Sequence, residues 1–253
     1  MKGHFLTDTG QVRSHNEDSG GIFPNEHNQY LAIIADGMGG HQAGDVASQM
    51  ATTIMEEKWQ SSTLFHSPEE SEKWLKQTID EMNSSIYEHS LQHEECHGMG
   101  TTLVAAICTN EFISVAHIGD SRCYLYNAYN FKQLTEDHSL VNALVQSGQI
   151  SKEDALVHPR KNLVLRALGN AEIVEPDIQS ISWDNEDKVL LCSDGLSDKV
   201  RDEELKTYLE SDDEIQEIGQ RLIKLANERG GEDNVSLVII QKEASMEEGE
   251  ALC

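Results

Sequence analysis

Four acidic residues stand at the ends of apolar runs, each in a glycine-rich or tight polar turn. Tyr30 to Ala35 runs into Asp36-Gly37-Met38-Gly39-Gly40, Phe112 to Ile118 into Gly119-Asp120-Ser121, and Val189 to Cys192 into Ser193-Asp194-Gly195. Gly230-Gly231-Glu232-Asp233-Asn234 inverts the order and precedes the apolar run Val235 to Ile240. A single Asp-Gly pair is an ordinary tight turn. A set of such strand ends is what a hard-cation site needs, because carboxylate and carbonyl oxygens must converge where the backbone bends sharply.

Two divalent cations about 4 Å apart can share a water and lower its pKa from roughly 15.7 toward 7, which makes hydroxide available at neutral pH. Asp36 is the candidate to bridge them, with Asp194 and Asp233 as further ligands and the Gly37 carbonyl as a non-acidic oxygen. So few protein ligands leave positions for water, which suits Mg²⁺ or Mn²⁺ and argues against a closed Zn²⁺ site. A phosphoryl group held there needs a planar cation able to grip two oxygens. Arg13, in the segment Arg13-Ser14-His15-Asn16-Glu17-Asp18, is the candidate for that role. The same segment also reads as a solvated surface loop with casual ion pairs.

The elements that must position these groups can be read from the apolar pattern. Residues 3–9 form a first short strand, and Val46, Met50 and Ile54, with Ala47 and Ala51 beside them, predict an amphipathic helix over 43–59. Ser67 as N-cap, Pro68 at the first helical position and Glu70 closing a capping box predict a second helix, with Leu75, Ile79, Met82 and Ile86 as its apolar stripe. Thr101 to Cys108, Phe112 to Ile118, Cys123 to Tyr126 and Phe131 to Leu134 are strands whose short connections force antiparallel pairing. They are apolar at nearly every position, so both faces of their sheet must be covered. The expectation is an α+β fold, a four-layer α/β/β/α sandwich with two antiparallel sheets face to face and helices outside.

Residues 139–166 differ, with short helices at Leu140 and after Ser151, interrupted by Gly148 and His158-Pro159. This insertion is either a flap or a surface excursion. A last helix is expected over 212–229, with Ser211 and Glu214 as a capping box and Gly230 as its stop. Residues 1–242 read as one domain, followed by a frayed acidic tail over 243–253.

The formal net charge of −26 disfavours nucleic acid and anionic membrane as partners. A phosphorylated substrate would then need bound cations to supply a local positive field. Cys108, Cys123 and Cys192 read as buried apolar residues in a reducing compartment, and neither a signal peptide nor a membrane span is apparent. The expected location is the cytoplasm.

The motif series resembles the metal-dependent protein phosphatase family of the protein phosphatase 2C type. It comprises Arg13 to Asp18, Ala35 to Gly40, Gly100-Thr101-Thr102, Gly119 to Arg122, Ser193 to Leu196 and Gly231 to Asn234, in that order. The short Met38-Gly39-Gly40 turn and the stretch His158 to Asn162 are similar to stand-alone bacterial serine/threonine phosphatases. The resemblance implies hydrolysis of phosphoserine and phosphothreonine by direct attack of metal-bound water. It implies that Asp36 bridges two core ions, Gly37 ligates through its carbonyl, Asp194 and Asp233 complete the pair, and Glu17 and Asp18 act through metal-bound water. Arg13 would hold the phosphate, Asp120 with Asp194 would form a third, weaker metal site, and residues 139–166 would be the flap beside the cleft. The implied partners are phosphorylated proteins and a serine/threonine kinase as substrate and antagonist, with the chain a monomer.

One departure stands out. Relatives with a histidine after the Asp-Gly use it as the proposed general acid, whereas Met38 occupies that place here. His41 and His15 lie nearby without matching the motif position, and the proton donor is left unassigned. The carboxylates by themselves would also permit a two-metal phosphoesterase acting on nucleotides or small metabolites. A non-catalytic phosphoprotein-binding module is the third alternative, although it would require a missing ligand, and Asp36, Asp194 and Asp233 are all present.

Overall fold

A computed structural model describes residues 1–39 and 43–243. In chain order come β1 (Lys2–Asp8), β2 (Asp18–Pro24) and β3 (Tyr30–Met38), then α1 (Ala43–Gln60) and α2 (Pro68–Gln92). The chain continues through β4 (Gly100–Thr101), β5 (Leu103–Cys108), β6 (Phe112–Ile118), β7 (Arg122–Tyr126) and β8 (Phe131–Gln133). Then follow α3 (Leu140–Gln146), α4 (Lys152–Leu156), β9 (Asp177–Ser182) and β10 (Lys188–Cys192). The last elements are α5 (Asp194–Ser197), α6 (Asp202–Glu210), α7 (Ile215–Glu228) and β11 (Val235–Gln241). One sheet has the order β1-β11-β10-β7-β8 and the other β2-β3-β5-β6-β9, with β4 added to β3.

The unbroken apolar strands are explained by two covered faces. Along β3, Leu31, Ile33 and Ala35 pack under α1 and α2, while Ala32 and Ile34 point between the sheets. Along β11, Val238 and Ile240 face the intersheet core, and Val235, Leu237 and Ile239 face α6 and α7. The four-layer sandwich is therefore present as expected, with a separate apolar layer at each of its three internal boundaries.

Several local expectations need correction. The buried stripe of α1 is Ala43, Ala47, Ala51, Met55 and Trp59, so the helix is rotated from the Val46, Met50 and Ile54 line, which is only partly buried. Small residues on the inward line let the helix axis approach β3, which larger side chains would prevent. Ser67 caps α2 by accepting from the Glu70 amide at 3.4 Å, but the Glu70 carboxylate passes the cap and takes the His66 N–H at 2.9 Å. Ser211 does not open the last helix. It closes the unforeseen α6, where its hydroxyl donates to Tyr208 O at 2.9 Å, and α7 starts later with Glu214 as cap. The Gly230 stop is present, with φ +125° and its N–H on Asn227 O at 3.1 Å.

Within 139–166, both short helices are present, Ser151 capping α4 as expected and Ser139 capping α3, and neither helix buries a residue. The insertion lies on the surface. Its two ends are closed on each other by Leu140 N–H to Leu163 O at 2.9 Å, and it is tied to the fold by Leu165 N–H to His138 O at 2.7 Å and a Lys161–Asp198 ion pair. The tail beyond Glu243 lies outside the described residues. Glu243 itself is anchored, its carboxylate 2.9 Å from the Met1 amine. Among the described residues, no helix is long and apolar enough to cross a membrane.

The rotation of α1 can be tested by stability. Met55→Ala, at a fully buried position, should cost about 2 to 5 kcal/mol in denaturant unfolding. Ile54→Ala should cost less than half as much. Equal losses would place the helix in the orientation that the sequence suggested.

Candidate metal centre

The strand register brings the acidic turns to one end of the sandwich. Asp18 opens β2 directly opposite Asp36 on β3. Ile34 of β3 pairs with Val104 of β5, and Leu103 with Ile118, so the Gly119-Asp120 turn emerges at that same end. Cys192 pairs with Leu237, which brings Asp194 beside the start of β11 and Asp233.

The backbone of Asp36 is fixed on both sides by its neighbours. The Asp36 N–H donates to Thr102 Oγ1 at 3.0 Å, and its carbonyl accepts from the Thr102 N–H and the Thr101 hydroxyl, both at 2.9 Å. Gly37 is required by packing: a Cβ there would lie 2.1 Å from Gly44 O and 2.6 Å from Glu17 O. Its N–H donates to Glu17 O at 3.1 Å, and the Ser48 hydroxyl donates to the same carbonyl at 2.6 Å. The loop of residues 9–17 is thereby pinned against β3 from one side.

Asn234 pins it from the other. Its amide donates to Thr9 O and His15 O, both at 2.9 Å, and its Oδ1 accepts from the Glu17 N–H at 2.7 Å. Ser193 joins the two sheets, donating to Asp18 Oδ2 at 2.8 Å while its Oγ accepts from the Ser236 N–H at 3.0 Å. Arg13 is exposed and lies over the cluster. Its Nη2 donates to Asp233 Oδ2 at 2.8 Å, and its Nη1 is 3.9 Å from Glu17 Oε2.

The electrostatics are those of like charges confined together. Burial pushes the Asp36 carboxyl well above the usual carboxylate range, and the charges of Asp18, Asp194, Asp120 and Asp233 push it further. Asp194 is raised in the same way, by burial and then by Asp120, Asp198, Asp233 and Asp18. Burial lifts Asp18 to about 6 against the nearby Ser236 and Ser193 hydroxyls, and lifts Asp120 to about 6 with help from the charge of Asp137. Glu17 is also raised by burial, with Arg13 opposing. Asp18 Oδ1 and Asp194 Oδ1 are buried with no hydrogen-bond partner. Buried carboxylate oxygens without donors, arranged around mutual repulsion, fit divalent cations and fit little else.

Comparison with known proteins agrees. The sequence profile of the family described as protein phosphatase 2C matches residues 9–236. The chain belongs to that family. It is 46% identical over 243 residues to the serine/threonine phosphatase stp of Listeria monocytogenes, covering 96% of each chain. Its fold matches the crystal structure of the serine/threonine phosphatase Stp1 from Staphylococcus aureus with TM-score 0.92 at 39% identity, over 96% of this chain and 95% of that one. It also matches the catalytic domain of the phosphatase PstP in complex with two manganese ions, TM-score 0.84 at 35% identity, over 96% and 98% of the two chains. Family membership makes the chain a metal-dependent protein phosphatase.

The structure brings Arg13, Glu17, Asp18, Asp36, Gly37, Asp120, Asp194 and Asp233 to one end of the fold. Sequence reading assigned no role to Thr102, Ser193 or Asn234, which position that set and stand beside or within its motifs. It also passed over Asp198, whose charge acts on both Asp120 and Asp194. Met38 is half-buried, His15 rests against Ser14 Oγ at 3.1 Å, and His41 lies outside the described residues.

The raised carboxylates make a pH prediction for the metal-stripped chain. A folded-state pKa of about 6 for Asp18 lies above the unfolded value, so its contribution to stability is present in acid and is lost as pH rises through 6. Asp18→Asn should therefore melt above metal-stripped wild type at pH 7.5, by on the order of 2 kcal/mol in free energy, with the gap closing at pH 4.5. A gap of the same size at both values would remove charge as its cause.

Proposed function

We propose that the acidic end of the sandwich is the active centre of a protein serine/threonine phosphatase that uses two Mn²⁺ or Mg²⁺ ions. The observation that carries this reading is the convergence of Asp36, Asp194 and Asp233 with Asp18, in a group where Asp18 Oδ1 and Asp194 Oδ1 are buried with no protein donor. Asp36 would bridge the ions, Gly37 would ligate through its carbonyl, and Asp194 and Asp233 would complete the pair. Glu17 and Asp18 would act through water, and Asp120 with Asp194 would hold a third, weaker ion. When bound, such ions would supply a water of lowered pKa and neutralise charge on phosphoryl oxygens, chemistry that suits direct hydrolysis without a phosphoenzyme.

The chain's own residues supply orientation. Arg13 offers a planar fork of donors for two phosphoryl oxygens. In the present arrangement that fork rests on Asp233. If Asp233 served as a ligand, its hold on the guanidinium would weaken and the fork would be available to a phosphoryl group. Its exposed position also allows it to follow the phosphoryl group of a protein chain docked at the surface. The buried apolar thiols agree with a cytoplasmic enzyme, with Cys108 and Cys192 pushed up to about 12 by burial. We further propose that it acts as a monomer and opposes a serine/threonine kinase.

The deciding experiment follows phosphate release from a phosphothreonine peptide and from free nucleotides, with Mn²⁺ and with chelator. Wild type should prefer the peptide and lose activity on chelation, and Asp36→Asn should be inactive at every Mn²⁺ concentration. Preferential hydrolysis of nucleotides would select the small-molecule phosphoesterase instead. Full activity in Asp36→Asn would displace Asp36 from the centre.

Arg13→Ala should leave Mn²⁺ binding in place while kcat/KM for a small aryl phosphate falls by about 2 to 4 kcal/mol of barrier. A change of less than about twofold, under 0.5 kcal/mol, would return Arg13 to the status of a surface loop residue.

A further inference from the structure

A second cluster of ionisable groups lies beside the Gly119-Asp120 turn. His117, His138 and Asp177 bring ring nitrogens and a carboxylate oxygen within 4.8 Å of one another, because the β6/β9 register sets His117 opposite Asp177. Two contacts turn the cluster away from metal binding. The Gly119 N–H donates to His138 Nδ1 at 3.2 Å, so the proton of the neutral ring is on Nε2, facing Asp177 Oδ2 at 3.3 Å. Arg166 Nη1 donates to Asp177 Oδ1 at 3.1 Å and supplies the cation of the group; its 3.2 Å approach to the protonated His138 Nε2 is that of two donors sharing the Asp177 carboxylate, not a hydrogen bond between them.

We propose that His138, with its ring fixed by Asp177, is a positioning residue that holds the Gly119-Asp120 turn and thereby sets the affinity of Asp120 for a cation. The inference rests on the assignment of Asp120 to the third-ion site. His138 satisfies both backbone polar groups of Gly119, its own N–H donating to Gly119 O at 2.8 Å while its ring takes the Gly119 N–H. On the opposite side, a Cβ at Gly119, which has φ +104°, would come within 2.6 Å of the Thr102 side chain. Thr102 in turn holds the Asp36 amide. The turn is thus clamped between His138 and the residue that anchors Asp36, and the spacing of the two aspartates depends on both jaws.

The ring has little freedom. It stacks on His117 with centroids 4.6 Å apart, and His117 Nε2 donates to Glu136 O at 2.8 Å. Burial and the neighbouring His117 hold the His138 pKa below its ordinary value, so the ring keeps one proton and an acceptor at Nδ1. Asp177 opens β9, and Arg166 stands at the end of the surface insertion, whose Leu165 N–H donates to His138 O. A hydrogen-bonded outer partner that fixes the tautomer and orientation of a histidine is a common support in metal sites. Here the ring passes that orientation to a backbone turn and not to an ion.

The test begins with the metal-free chain labelled with ¹⁵N. A through-hydrogen-bond coupling between the Gly119 amide nitrogen and His138 Nδ1, with Nε2 protonated, is expected. A ring protonated at Nδ1 would overturn the proposal. Mn²⁺ binding, followed by the EPR signal of the free ion, then compares wild type, His138→Ala, His138→Asn and Asp177→Asn.

The weakest site should lose about tenfold in affinity in His138→Ala, and recover in His138→Asn, which restores an acceptor near Nδ1. Asp177→Asn keeps an acceptor for Nε2–H and guards against a folding failure, with a smaller loss expected. In an Asp120→Ala background, His138→Ala should cause no further loss, and an additional loss there would overturn the proposal. Unchanged Mn²⁺ binding in His138→Ala beside a loss in Asp120→Ala would refute the positioning role alone. Unchanged binding in Asp120→Ala would refute the Asp120 assignment and the affinity role with it.

Discussion

Negative charge confined at one end of the sandwich is the constraint on which the rest depends. Asp36, Asp18, Asp120 and Asp194 each have their carboxyl raised, in every case first by burial. Proteins seldom gather buried carboxylates without protons or cations to neutralise them. At neutral pH a folded chain of this kind is stabilised by cations it binds, because they offset the repulsion among these carboxylates. The remainder of the structure holds that strained end together.

The means of doing so are neutral hydrogen bonds of short reach. Thr102, Ser193 and Asn234 each touch two chain segments distant in sequence, and each fixes a backbone or carboxylate that belongs to the centre. A charged residue in those positions would add a further desolvation cost, whereas hydroxyls and amides can be satisfied without net charge. Close backbone approach does the rest, since the absence of a side chain at Gly37 lets the loop carrying Glu17 and the first turn of α1 meet the end of β3. Packing of the outer helices therefore reaches the site through the backbone as much as through side chains.

Much of this was legible in the sequence, for identifiable reasons. Apolar runs ending in acidic turns give both the strand and the end at which it delivers its aspartate, so the layers and most of the proposed ligands follow from local pattern. The rotation of α1 did not, because periodicity weights Val46, Met50 and Ile54 by hydrophobicity, whereas the sheet selects the smaller Ala43, Ala47 and Ala51 by fit. The caps at Ser211 and Glu70 were misread because capping signals are shared between neighbours: an unseen α6 claimed Ser211, and Glu70 reached the amide one residue earlier. Thr102, Asn234 and the His138–Asp177 pair were illegible as supports because their partners are far along the chain, and only the register of the sheets brings them together.

Charge also bears on how a phosphorylated substrate could approach. With a formal net charge of −26, the chain as a whole repels a phosphate group. The basic side chains at the centre do not reverse this by themselves. Arg13 is paired with Asp233, Lys161 with Asp198 and Lys199 with Glu232, so each brings its positive charge already matched. A favourable field for phosphate must then come from ions bound among the carboxylates, which convert the most negative part of the surface into the part that can accept an anion. The same ions that relieve repulsion in the folded chain would thus also create the attraction for substrate, and binding of metal and binding of phosphate become one coupled equilibrium.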